Sequence, residues 1–165
     1  MRYVLALGFC VFAAACAGEG SRAPTSPSSS ATTAAATYAK AASALPFKGT
    51  LEGTELIEGT AHHIDASGNT TQLGLFTLVV DLTVNAGLGS GTAVWTAANG
   101  DQLFTSITGA GIVTFPIVTI SETYTITGGT GRFAGATGTF TAERTVNVLT
   151  HVTSASFTGT INLDR

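Results

Sequence analysis

The sequence is poor in charge and cysteine and lacks a long apolar run, and each shortage excludes something. Charged side chains make up 10% of the 165 residues, with seven Lys and Arg against ten Asp and Glu and a formal net charge of −3. The cations are scattered rather than clustered, which excludes the multiple phosphate contacts on which nucleic-acid affinity depends. The two cysteines, Cys10 and Cys16, both stand near the N-terminus. The rest of the chain therefore has neither the disulfide framework that staples many small secreted domains nor a thiol for catalysis. The apolar stretch Tyr3 to Ala15 is shorter than the roughly 20 residues a helix needs to cross a bilayer. It is ended by the polar run Gly18 to Ser21.

What is present falls into three parts. Met1 and Arg2 ahead of the apolar stretch have the form of a secretory signal over residues 1–15. Its end, Ala13-Ala14-Ala15-Cys16, resembles a bacterial lipobox, with Ala13 where Leu is usual; this makes Cys16 the expected lipid attachment and the cell envelope the expected location. The alternative is ordinary cleavage nearby, leaving a secreted soluble protein. Ser21 to Ala44 is almost wholly Ser, Thr, Ala and Pro. That composition buries too little apolar surface to order itself, so residues 16–46 are expected to be a flexible linker. The remaining residues, 47–165, are about the size of one domain, which can bury roughly two-thirds of its unfolded surface on a single core.

From Phe47 onward the hydrophobic period is two, with Thr-rich segments separated by glycine clusters. This predicts an all-β domain, a single antiparallel closed β-barrel of about eight strands. In Gln72 to Val84, Phe76, Leu78, Val80, Leu82 and Val84 share one face, opposite Thr77, Val79, Asp81 and Thr83. A turn is expected over Gly87 to Gly91, and a hairpin at Asn99-Gly100, where both residues tolerate positive φ. Seven strands follow from the pattern; Pro116 supplies an eighth if it splits the segment Ile112 to Thr127. Closure removes the unpaired edges on which open sheets aggregate. A lipid-facing barrel would need the apolar face outward, yet the nine Phe and three Tyr form no pair of interfacial girdles.

Two charges share parity with apolar neighbours. Glu122 alternates in step with Ile120, Tyr124 and Ile126, and Arg144 with Phe140, Ala142 and Val146. A hairpin centred near Phe133 sets Glu122 opposite Arg144 and Tyr124 opposite Ala142, so that a carboxylate and a guanidinium meet inside the barrel. Burying either alone would cost several kcal/mol, so the two are expected to pair. One reading is a structural ion pair. The other makes Glu122, Arg144 and Tyr124, with Glu55 on the face of Leu51 and Ile57, the polar ligand-binding contacts of a mostly apolar pocket. His62, His63 and Asp65 are the nearest approach to a metal cluster, but adjacent residues of an extended chain point apart and no third ligand is evident, so no metal or other cofactor is expected. They are placed in a solvated loop, with Asp65 to Asn69 as a turn. Gly128 to Gly131 lacks the Lys and following helix of a phosphate loop and reads as a turn. Trp95 is expected to pack within or cap the barrel.

The run Ile126-Thr127-Gly128-Gly129-Thr130-Gly131-Arg132-Phe133-Ala134-Gly135-Ala136-Thr137-Gly138, with Ala97 to Asp101 and Leu103-Phe104, resembles the allene oxide cyclase barrel-like group, to which dirigent proteins are similar. The likeness is greater to bacterial exported members, which usually carry His and Arg where this chain has Gln72 and Leu75. The resemblance spans Phe47 to Leu163 and implies an eight-stranded barrel with an apolar cavity, in some members assembled as a homo-oligomer. It transfers no activity and no catalytic residue. The expected function is an envelope lipoprotein whose barrel binds a small apolar ligand or a partner, touching the membrane only through its lipid. The alternative is a cyclase or isomerase acting on a hydrophobic substrate within the barrel.

Overall fold

A computed structural model describes residues 44–164; the expected signal sequence, Cys16 and most of the expected linker lie outside the described residues. Eight strands account for nearly all of it: β1 (Leu45–Glu58), β2 (Ala61–Thr70), β3 (Gly74–Asn85), β4 (Leu88–Ala97), β5 (Gln102–Thr114), β6 (Ile117–Gly129), β7 (Thr137–Asn147) and β8 (Val152–Asn162). One 3-10 turn, Gly131–Phe133, lies between β6 and β7. Every strand pairs antiparallel with its sequence neighbour, and β1 pairs with β8 to close the barrel. β1 begins at Leu45, just ahead of the expected domain start at Phe47.

Alternation decides which side chains go inside, and the apolar set does. Phe76, Leu78, Val80 and Leu82 of β3 are buried, whereas Thr77, Asp81 and Thr83 are exposed. The outer wall of β5 to β8 carries rows of hydroxyl residues across the strands, such as Ser106, Thr125, Thr139 and Thr160. β-Branched cross-strand neighbours of this kind suit a pleated, solvated surface. This is the reverse of a barrel whose oily face meets lipid.

Three segments differ from the sequence expectation. His62, His63 and Asp65 to Asn69 belong to β2, not to a loop and turn. Its hairpin neighbours β1 and β3 give this segment a partner on each side, and those two ladders override the turn preference of Asp, Ser, Gly and Asn. The chain reverses at Ala86-Gly87, both at positive φ, so Gly89 and Gly91 lie within β4 rather than in a turn. β5 runs on through Gly109 and Gly111 to Thr114, and Pro116 occupies the two-residue connection to β6, where no ladder N–H is required.

Along its axis the interior forms layers. One pole is sealed by Leu73, Leu103, Phe133, Ala136, Ile161 and Leu163. Next comes an aromatic layer in which Trp95 packs against Phe47, Phe76, Tyr124, Phe140 and Phe157 at centroid distances of 5.0–6.3 Å. The indole Nε1–H donates to Thr105 Oγ1 at 3.1 Å, so this fully enclosed polar atom is satisfied. Trp95 is thus a packing residue. Beyond the aromatics lies a layer of charge, and beyond that the barrel is open.

Candidate functional site

The charged layer is set by parity. Glu55 of β1, Glu122 of β6 and Arg144 of β7 each follow the inward alternation of their strands, and all three are buried. The register differs from the expectation. Glu122 stands opposite Ala142, Tyr124 opposite Phe140 and Ile120 opposite Arg144, because the hairpin is centred at Arg132 rather than Phe133. A one-residue change of centre moves the pairing by two and leaves every side chain on its original face. Arg144 therefore reaches Glu122 diagonally. Its Nε and Nη2 donate to Glu122 Oε1 at 3.0 and 2.9 Å. Nη1 donates to Glu55 Oε2 and, at 3.3 Å, to Thr153 Oγ1.

Each carboxylate oxygen is engaged. Glu122 Oε2 accepts from the Tyr124 hydroxyl at 3.0 Å, and Glu55 Oε1 lies 2.6 Å from His62 Nδ1. Burial works against the Arg144 charge, but the charges of Glu122 and Glu55 and their hydrogen bonds outweigh it and raise its pKa above the ordinary value. Burial, reinforced by the charge of Glu122, pushes the Tyr124 phenol well above its own. That shift has a sign. A folded-state pKa above the unfolded one makes a contribution that is complete below the ordinary tyrosine value of about 10 and is lost as pH rises through the raised value. Tyr124→Phe is expected to flatten the alkaline fall in stability, as measured by urea midpoints at about pH 9 and about pH 11.

Above this layer is an open cavity of about 230 Å³ whose lining includes Glu55, His62, Glu122 and Arg144 together with Ile57, Leu82, Val84, Ile107, Val118 and Ile120. Its existence has a sequence cause. Gly89 of β4 and Gly109 and Gly111 of β5 line the cavity, with Gly87 in the adjoining turn, and place no side chain in it. Exposed apolar residues, Leu88, Ile112, Val113, Phe115 and Leu149, ring the mouth.

Of the expected contacts, Glu55, Glu122 and Arg144 line the cavity. Tyr124 lies beneath them, stacked on Phe140 with centroids 4.7 Å apart and bonded to Glu122. His62 was missed as a site residue. Its parity with Ile64, buried on the same strand, was the available signal. His63 points outward, 2.7 Å from Asp81 Oδ1, and this hydrogen bond raises its pKa. Among the described residues no group of three His, Cys, Asp or Glu side chains is placed to hold a metal. No protein-family model, curated protein or solved structure matches the chain.

Proposed function

We propose that the barrel binds one small, mostly apolar molecule in its mouth cavity, and that it does so in the cell envelope, as an exported protein held through a lipid on Cys16. The observation that carries the binding reading is the cavity itself. Gly89 leaves open a space that an aliphatic side chain would fill, and Gly109, where a Cβ would meet Glu122 Cγ at 2.8 Å, makes room for charges that already satisfy one another. Pockets for drug-sized ligands measure roughly 300–1,000 Å³, so a volume of about 230 Å³ suits a smaller molecule. The exposed apolar ring gives such a molecule a path of like polarity into the barrel. The likeness to the allene oxide cyclase barrel-like group, whose barrels hold apolar molecules, supports the same reading.

Gly89 supplies the test. A Cβ there would meet only Val84 Cγ2, at 3.6 Å, an ordinary contact, and the residue does not have a positive φ. Gly89→Leu is therefore expected to fold normally and fill the cavity. Hexanol should produce saturable shifts of the Ile107 and Val118 methyl resonances in the wild-type protein, and these should be lost in the variant. Absence of saturable binding to the wild-type barrel would remove the proposal.

A further inference from the structure

The polar end of the cavity is not neutral in what it offers. With Glu55 and Glu122 ionised and Arg144 protonated, two negative charges face one positive charge. Four of the five Arg144 N–H donors are engaged, by Glu122, Glu55 and Thr153. The fifth is on Nη2, which already donates to Glu122, so an anion reaching for it would stand beside that carboxylate. A ligand headgroup finds no vacant cationic site here.

His62 offers something different. A carboxylate only accepts hydrogen bonds, so the contact with Glu55 Oε1 requires a proton on His62 Nδ1. In the neutral ring that fixes the tautomer and leaves Nε2 as a bare acceptor, on the side of the imidazole away from Glu55. Nε2 has no hydrogen-bond partner among the described residues, and His62, its side chain 15% exposed, stands at the rim where the cavity meets an outer depression beside His63 and Asp81. Every other polar side-chain atom of Glu55, Glu122, Arg144 and Tyr124 has a partner.

We infer that His62 Nε2 is the polar contact for the ligand, and that the ligand class is a short apolar chain ending in a hydrogen-bond donor, an alcohol or a protonated amine, with carboxylates rejected. The inference rests on the binding reading above. A donor completes the unpartnered Nε2, and a positive charge is further favoured by the excess carboxylate. A carboxylate would set its lone pairs against that of Nε2 and add a third negative charge to the layer.

The experiment titrates the intact protein at about pH 8.5, above the ordinary imidazole value of about 6.5, with hexanol, hexylamine and hexanoate and follows the imidazole ¹⁵N resonances of His62. Hexanol and hexylamine are expected to shift Nε2 saturably, and hexylamine to bind at least about tenfold more tightly than hexanoate, as one hydrogen bond to a charged group allows. His62→Leu should weaken the uncharged probe hexanol about fivefold, because its hydroxyl loses the Nε2 acceptor while no charge on the probe responds to the freed Glu55 carboxylate. Hexanoate binding as tightly as hexylamine, or hexanol binding unchanged in His62→Leu, would overturn the assignment and leave the cavity reading standing. Failure of all three probes to bind would overturn both. The wild-type ¹⁵N spectrum decides the matter independently of whether the variant folds, because ligand binding without a change at Nε2 contradicts the inference.

Discussion

Arg144→Met should destabilise the barrel by about 3–5 kcal/mol, the usual consequence of removing one partner from a buried ion cluster. The change keeps an unbranched apolar side chain of similar length, so the loss comes from what is left behind. Glu55 and Glu122, both buried, would share a low-dielectric layer with no guanidinium between them, and Thr153 would lose a donor. For a domain of this size the melting temperature should drop on the order of 10 °C or more. The companion is the triple variant Glu55→Gln, Glu122→Gln, Arg144→Met, which removes all three charges together. Because replacing a whole buried ion cluster is often close to neutral, the triple variant should recover much of the stability that the single one loses. Urea unfolding of both distinguishes a cluster held by mutual charge from three unrelated buried groups. Equal destabilisation by the single and triple variants would contradict the account.

Phe140→Ala is expected to cost a comparable amount, about 3–5 kcal/mol, through a different mechanism. Phe140 is 2% exposed and packs its ring against Phe47, Trp95, Tyr124 and Phe157. The void would be hard to close, since these neighbours come from separate strands of a closed sheet whose radius is fixed by strand pairing. Trp95 is the single tryptophan in the chain and lies against the deleted ring, so its fluorescence follows the unfolding directly. Thr141→Ala is the control. Thr141 sits next in sequence on the solvated face, and its loss should fall within about 0.5 kcal/mol of the parent. A large effect at Thr141, or a small one at Phe140, would reverse the assignment of inside and outside.

Those assignments were legible because parity is a local property. Phe76 to Val84, Tyr124 and Phe140 could be placed inside without knowing a single strand partner, and so could Glu55, Glu122 and Arg144. What depended on partners was harder. The register of β6 and β7 slipped by two because the span from Gly129 to Thr137 contains a 3-10 turn, and its midpoint cannot be located by alternation. The same span hides no change of face, so the ion cluster survived the error. His62 was lost for a related reason. Reading Asp65 to Asn69 as a turn removed β2 from the list of strands, and with it the parity that would have put His62 beside Glu55. Gly89 of β4 is similarly read for the turn it permits rather than for the volume it leaves empty. Glycine carries both meanings, and only neighbouring strands on either side distinguish them.

The direction in which the chain joins the barrel has a geographical consequence. Leu45 pairs with Ile161 at the sealed pole, and Asp164 approaches Gly135 there, so both ends of the described chain leave from one side. The mouth is at the antipode, a strand length of roughly 45 Å away along β1 at about 3.3 Å per residue. A partner fused beyond Asp164 would therefore leave the opening unobstructed.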